Sequence, residues 1–273
     1  MRTILATVPN GVILATAAGF AMLMTIVGMW VLRRFVGRVH TAERSEFSRL
    51  LVSMMGSLYG LILGFVIIAA WNNLGQAFTA TSHEATSFAT IIRSSGLMSK
   101  EDQTILAEAV GKYVIAVRID EWPNMREGKG RAQSAYDAMT GVYTAAGQLH
   151  PVGPIQIAAY QSIVNTTNQA FAARRVRLDR AEQHLPEGLV ALLLIGVFVI
   201  EGFIILMVSN ANRVERGMAV LANGLIGLTL ALALLLDYPF SGQLGVNDSV
   251  WTVGALAQYN QQVEAARIAA GAR

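Results

Sequence analysis

Four stretches of this chain, Val12–Leu32, Leu50–Trp71, Glu187–Val208 and Met218–Leu236, are each about twenty residues long and almost free of charge. A helix needs roughly 20 apolar residues to cross about 30 Å of hydrocarbon. Backbone in lipid must satisfy its own hydrogen bonds, so these stretches have to be helices. They predict an all-α integral membrane protein with four transmembrane helices. Composition agrees, with 53% hydrophobic and only 14% charged residues in a chain of 273. The first run is expected to stay uncleaved. A signal peptide has a shorter apolar core preceded by positive charge, whereas here Arg33, Arg34 and Arg38 follow the run.

The second run carries glycine at every fourth position, Gly56, Gly60 and Gly64, so all three share one helix face. Between helices in lipid there is no hydrophobic force, and small residues allow the close backbone approach that association then relies on. Two uses follow. The stripe either seats this span against another helix of its own subunit, or it faces a symmetry mate or a pore.

Arg33 to Arg49 holds five arginines against Glu43 and Glu46, and the loop Ser209 to Gly217 holds Arg213 and Arg216. Short basic loops stay in the cytoplasm. Both termini and everything between the second and third spans are then expected on the outer side of the membrane. Arg174, Arg175, Arg177 and Arg180 lie on that outer side against the trend, but long segments translocate largely regardless of charge.

Residues 72–186 read as an extramembrane four-helix bundle. The second span, ending at the interfacial Trp71 and followed by Asn72 and Asn73, continues without a proline to about Leu97, with Phe78, Thr81, Ala85, Phe88 and Ile92 at helical spacing. Ser99-Lys100-Glu101-Asp102 resembles a capping box and starts a helix that runs to Trp122, where Pro123 and Gly128-Lys129-Gly130 end it. Two more helices are expected over Ala132–Leu149 and Ile155–Leu185, separated by His150-Pro151-Val152-Gly153-Pro154. Four helices return the chain to the membrane surface it left. The remaining divisions are 1–71 with the first two spans, 187–236 with the last two, and 237–273 as a loop and a short helix. That helix is predicted to be capped by Asp248 or Ser249 and to lie on the bundle or the membrane surface.

Several function classes drop out. Without cysteine there are no disulfides or thiolate metal sites, and His40, His83, His150 and His184 are isolated, giving no metal-binding spacing. A net charge of +3 without a long basic run argues against a nucleic-acid partner. There is no nucleophile elbow, phosphate loop or histidine pair, so neither an enzyme nor a bound cofactor is expected.

Three segments together carry a family likeness. They are Tyr59-Gly60-Leu61-Ile62-Leu63-Gly64-Phe65-Val66 leading to His83-Glu84-Ala85, then Asp120-Glu121-Trp122-Pro123-Asn124-Met125, then Leu236-Asp237-Tyr238-Pro239-Phe240-Ser241-Gly242. In their order and spacing the chain resembles the bestrophin-like bacterial membrane proteins, a domain of unknown function. The name borrows the layout of bestrophins, oligomeric anion channels with two helices before and two after a helical domain. The resemblance implies that layout, in a bacterial inner (plasma) membrane, and raises Glu84, Glu121, Trp122, Pro123, Pro239 and Phe240 as family positions. It also implies an anion-channel alternative, although bestrophins keep the helical domain in the cytosol, opposite to the charge bias here.

The candidate chemistry is that of an ion pathway in a lipid bilayer. Glu201 is the one ionisable residue well inside a span, where an unpaired charge costs roughly 2.5–3.5 kcal/mol. It either faces a water-filled path or pairs with Arg213 or Arg216. Asn223 lies at similar depth and is a hydrogen-bond partner for it or ordinary interhelical glue. Asp237, level with Asn72 and Asn73, either joins a ring at a pore mouth or caps the turn made by Pro239 and Gly242. Arg174, Arg175, Arg177 and Arg180 form a basic vestibule, or snorkel and pair with acids such as Glu84. The Glu121-Trp122-Pro123 run reads as a helix end with a buried indole. The expected function is a homo-oligomeric ion channel conducting inorganic ions, with cations favoured through Glu201 and Asp237. The competing class is an extracytoplasmic sensor or scaffold acting through a partner protein.

Overall fold

The computed structural model describes residues 8–35, 45–208 and 211–271. Most of the basic loop after the first span, residues 36–44, lies outside the described residues, as do 209 and 210. Every regular element among the described residues is a helix. α1 (Asn10–Phe35), α2 (Ser45–Ser95), α7 (Glu187–Val208) and α8 (Arg213–Leu236) contain the four stretches apolar and long enough to cross a membrane.

α2 is the longest element, 51 residues without a break, or about 76 Å at 1.5 Å per residue. Its two halves meet different surroundings. Around the first half Leu58, Leu61, Phe65, Ile68 and Trp71 are more than half exposed, the surface that lipid covers in a spanning helix. In the second half Ala77, Thr81, Glu84, Phe88 and Ile91 are buried against other helices.

α3 (Lys100–Ala116) begins at Ser99, whose Oγ accepts from the Asp102 amide at 3.1 Å. The expected reciprocal half of the capping box is replaced by a direct contact, Ser99 Oγ donating to Asp102 Oδ2 at 2.8 Å. The other predicted break is also different. Pro123 does not end this helix: the chain passes through a π-helical segment, Val117–Glu121, and enters α4 (Trp122–Glu127). The physical reason is position. Proline falls where the π turn ends, and the wider turn, with the Trp122 N–H bonding the Val117 carbonyl five residues back, relieves the clash that an α turn would make between the ring and the Ile119 carbonyl. Gly128, at φ 77°, then stops the helix in the left-handed conformation that glycine tolerates.

α5 (Gln133–Gly147) and α6 (Gly153–Glu182) follow, α6 opening with Pro154 in its first turn. α6 packs along α2 and α5 along α3. Their shared core stacks Phe88 on Tyr113 at 4.4 Å, with Trp251 from the chain's C-terminal segment 5.9 and 6.0 Å from the two rings. That segment is not the single helix expected from Asp248. Asn247 caps a 3-10 turn over Asp248–Trp251, a second 3-10 turn spans Gly254–Tyr259, and α9 starts only at Asn260. Gly254, at φ 63°, interrupts a continuous helix there. Trp251, Leu256, Tyr259 and Val263 are all buried, so the tail forms part of the core.

The spans pack through glycines. A Cβ on Gly227 of α8 would stand 2.7 Å from Ala21 Cβ and 3.0 Å from the Ala17 carbonyl of α1, and one on Gly224 would strike Met22. Gly196 of α7 takes the ring of Tyr59 from α2, whose hydroxyl donates to the Leu193 carbonyl at 3.2 Å. Gly28 of α1 takes Ile205 of α7.

Candidate functional site

The polar residues singled out in the sequence gather in three places. The largest lies among the helices beyond the spans, where α2 supplies Glu84, α3 Tyr113, the π segment Glu121, and α6 Arg174 and Arg177. All five are less than a tenth exposed. Arg177 grips Glu84 with two bonds, Nε to Oε2 at 2.6 Å and Nη2 to Oε1 at 3.0 Å. Its Nη2 also donates to Glu121 Oε1 at 2.7 Å, and Nη1 donates to Met125 Sδ at 3.1 Å. Arg174 binds Glu121 twice, through Nε to Oε1 at 3.2 Å and through Nη2 to Oε2. The Tyr113 hydroxyl donates to Glu84 Oε1. The Trp122 ring lies under the Arg177 guanidinium, 5.8 Å from centroid to Cζ.

Two carboxylates and two guanidiniums leave the cluster neutral. Burial by itself raises the Glu121 pKa, but the charges and hydrogen bonds of Arg177 and Arg174 outweigh it and hold the carboxyl below its usual value. Burial would likewise lower Arg177, yet Glu84 and Glu121 lift it well above the ordinary guanidinium range. Tyr113 is pushed well above 10 by burial and by the Glu84 charge. The cluster is thus fixed in its charged form. The π segment positions its centre: the extra residue per turn leaves Glu121 facing α6, while Arg118 on another side binds Asp248 Oδ2 at 3.1 Å and Asn260 Oδ1 at 3.0 Å. Arg175 is exposed and Arg180 half-buried, so of the four vestibule arginines two are bound inward, and the alternative weighed for them, pairing with Glu84, is what Arg177 does.

The second place lies within the spans. Glu201 of α7 is 7% exposed and its Oε1 stands 3.0 Å from Thr25 Oγ1 of α1, while Asn223 Nδ2 of α8 donates to the same Thr25 oxygen at 2.9 Å. Asn223 therefore meets Glu201 through Thr25 and not directly. Glu201 forms no ion pair among the described residues, with Arg213 and Arg216 included.

The third is a pocket of about 220 Å³ where the spans end, lined by Asn72, Asn73, Gln76, Arg180, His184 and Asp237 among others. It brings the sequence candidates Asn72 and Asp237 together. Asp237 is buried, accepting from the Leu185 amide at 2.7 Å, with its Oδ2 3.6 Å from His184 Nδ1. The glycine stripe stands apart from all three: a Cβ on Gly56, Gly60 or Gly64 would meet nothing within 4 Å.

A family profile described as a Bestrophin-like domain matches residues 19–250. The chain belongs to the Bestrophin-like family. The fold agrees: crystal structures of a bacterial bestrophin homologue from Klebsiella pneumoniae, in two single-substitution variants, superpose with TM-scores of 0.67 and 0.68 at 13% identity. They cover 92% and 93% of this chain and 96% and 99% of theirs. A third variant gives 0.63 at 14% identity, covering 94% and 98%. No curated protein matches the chain in sequence.

In this bestrophin-like chain the three family segments meet. Glu84 and Glu121 share Arg177, Trp122 packs edge-on against Phe240 at 5.6 Å, and Ser241 Oγ donates to the Arg126 carbonyl at 3.1 Å, closing the turn that holds Pro239. Sequence reasoning missed Thr25, Tyr113 and Arg118. Thr25 is a hydroxyl inside an apolar run, which is a usable signal for interhelical hydrogen bonding. Tyr113 and Arg118 lie at helical positions that carry no such mark.

Proposed function

We propose that this chain forms a homo-oligomeric ion channel with α2 nearest the axis and the helices between the second and third spans inserted as an extramembrane domain. One contrast among glycines carries the reading. Gly28, Gly196, Gly224 and Gly227 are filled by neighbouring helices of the same subunit, whereas Gly56, Gly60 and Gly64 are open; Gly11, Gly19, Gly188, Gly202 and Gly217 are open too, but among the described residues only on α2 do open glycines recur at every fourth position. Bare backbone on the longest helix of a spanning bundle is surface reserved for a neighbour or for water. The same helix carries the opening upward: a groove of about 640 Å³ runs between α2 and α6 past Trp71, Gly75, Thr79 and His83. Membership of the Bestrophin-like family supports a pore, because the bestrophin layout is that of an oligomeric channel.

The selectivity expected from the sequence stays part of this proposal. Arg174 and Arg177 are neutralised by ion pairs inside the domain, which leaves half of the basic vestibule and the likeness to bestrophins as the arguments for anions. Cation preference rests on Glu201, and its removal tests it. In planar bilayers the purified protein should conduct, and reversal potentials in asymmetric KCl should move toward zero for Glu201→Gln. A protein that is monomeric in mild detergent and silent in bilayers sinks the channel. An anion-selective wild type sinks the selectivity alone.

The orientation proposed from the basic loops places the helical domain and both termini outside. Single cysteines have a clean background here because the chain has none. An impermeant thiol reagent should label Gln133→Cys and spare Ser45→Cys in intact cells. The reverse pattern puts the domain in the cytosol.

A further inference from the structure

Three polar atoms surround Thr25 Oγ1 within the spans, and its single proton cannot serve them all. It stands 2.9 Å from the Ala21 carbonyl, 3.0 Å from Glu201 Oε1 and 2.9 Å from Asn223 Nδ2. A hydroxyl donates once and accepts twice. Asn223 supplies the proton of its own contact, so the Ala21 carbonyl and Glu201 compete for the one that Thr25 carries. A threonine inside a helix gives that proton to the carbonyl four residues back, as Thr79, Thr81 and Thr167 do elsewhere in this chain. The contact with Glu201 is then bonded only if Glu201 brings the third proton itself, as a carboxylic acid. One proton split between both acceptors leaves a carboxylate with half a hydrogen bond among helices in lipid, where an unpaired charge is costly.

Among the described residues no cation stands in for that proton. Thr25, Asn223 and Glu201 are 0%, 3% and 7% exposed. Of the helices packed on α7, α1 bears Arg33 and Arg34, eight and nine residues past Thr25, and α8 bears Arg213, Glu215 and Arg216, at least seven before Asn223. Seven residues are about 10 Å of helix, and none of these groups pairs with Glu201. From α2, Tyr59 gives its hydroxyl to the Leu193 carbonyl, and the side chains of Glu46 and Arg49 at the start of that helix lie outside the described ones. We propose that Glu201 is a proton-binding site, which at neutral pH holds its proton against Thr25 and so ties α7 to α1 and α8. When the proton leaves, the O–H bond of Glu201 breaks, the electron pair stays on the carboxylate, and water takes the proton at the edge that remains exposed. Thr25 keeps its bond to Ala21, and the carboxylate, left without a donor, turns away from α1 toward water. The proton assignment rests on the hydrogen bonds and not on conduction. Its consequence rests on the channel reading: the cation preference proposed for Glu201 belongs to the carboxylate and grows as pH rises.

The experiment uses the full chain, purified in detergent. Infrared spectra at neutral pH should contain the carbonyl band of a protonated carboxylic acid, and Glu201→Gln should lack it. In Thr25→Val the band should persist but shift, because the acid has lost its acceptor. Reversible unfolding in mixed micelles gives a second readout. At neutral pH the folded chain holds a proton at Glu201 that the unfolded chain, whose free carboxyl ionises at about 4.3, has lost. Glutamine does not titrate, and the acid limb of the helical domain is common to both proteins. The folded-to-unfolded ratio of the wild type relative to Glu201→Gln should therefore fall about tenfold per pH unit between about pH 5 and 7. A wild type without the acid band, or a relative ratio that does not change with pH, overturns the assignment. A ratio that follows sodium or potassium concentration instead of pH also overturns it, by making the carboxylate a cation site. Neither readout involves current, so a silent bilayer sinks the channel and leaves the proton, whereas a missing band sinks the proton and leaves the channel.

Discussion

The helical domain and the spans each bury carboxylates, and they compensate them by opposite means. Glu84 and Glu121 sit against two guanidiniums in a neutral, fully hydrogen-bonded cluster. Glu201 has a threonine hydroxyl and, through it, an amide. The packing differs in the same way. Aromatic rings and branched side chains fill the domain core, whereas the spans approach through glycines at α1/α8 and α2/α7. In water, apolar burial drives the helices together and leaves room for a costly ionic centre that specifies how they pair. In lipid that drive is missing, so close backbone contact and single side-chain hydrogen bonds carry the association.

The strongest way to break this comparison is to remove the shared cation. Arg177→Met leaves Glu84 and Glu121 buried with only Arg174 for company, and loss of one partner from such a cluster costs about 3–5 kcal/mol. The domain should lose most of its stability, read as a collapse of the chemical-denaturation midpoint followed by tryptophan fluorescence. Adding Glu84→Gln should recover part of the loss. The same cluster sets an acid limb. Glu121 has its folded pKa held below the usual value, so on acidification the unfolded chain takes up that proton first. Its contribution is complete above the ordinary carboxylate pKa, about 4.3, and is lost as pH falls through the folded value. A melting temperature that is flat down through that window contradicts the charged cluster.

The next effect in size compares two glycines in the membrane. Gly227→Ala puts a methyl 2.7 Å from Ala21 Cβ and against the Ala17 backbone, which cannot swing away as a side chain could. Overpacking of this kind costs about 1–3 kcal/mol. Gly60→Ala meets nothing, so the subunit itself should be as stable as before, and any loss should appear in the oligomer or the conductance. Equal destabilisation of the subunit by both would remove the distinction between filled and open glycines.

How much of this was legible in the sequence follows the same divide. The four spans could be read because a bilayer forces length and composition on them, and α5 and α6 because glycine and proline punctuate their ends. The candidate residues were legible as types, since a carboxylate or an asparagine inside an apolar run has to be compensated. Their partners were not. Thr25 lies 176 residues from Glu201 and 198 from Asn223, and helical periodicity holds no information over such separations. The π segment escaped because Pro123 reads as a stop, whereas the widened turn before it carries the helix past the proline. The tail was misread for a similar reason: Trp251 is held by Phe88 and Tyr113, not by local helix propensity.

A smaller change sharpens the membrane half. Thr25→Val keeps shape and removes the hydroxyl that joins α1 to α7 and α8. Interhelical hydrogen bonds in lipid are worth about 0.6–2 kcal/mol. Unfolding in mixed micelles should show a loss of that order, well below that of Arg177→Met. A loss as large as the Arg177 variant's would mean that the spans depend on a polar centre as the domain does.

The smallest expected effect lies at the edge of the helical domain, where Arg118 of the π segment reaches Asp248 in the tail at 3.1 Å. The Arg118 side chain is 9% exposed and that of Asp248 27%, so one end of the pair is in contact with solvent. Asp248→Asn retains an oxygen for Arg118 Nε and removes only the charge. Partly exposed pairs are worth about 0–1 kcal/mol. A double-mutant cycle with Arg118→Met should therefore return a coupling under about 1 kcal/mol. Salt provides the discriminating readout. The field of a solvent-facing charge is screened over about 8 Å at physiological ionic strength and about 3 Å at 1 M, so this coupling should shrink toward zero in concentrated salt. The coupling between Arg177 and Glu84, both 0% exposed, should not. If the two respond alike, the ionic centre is reached by solvent, and the contrast between a dry charged core and its wet rim fails.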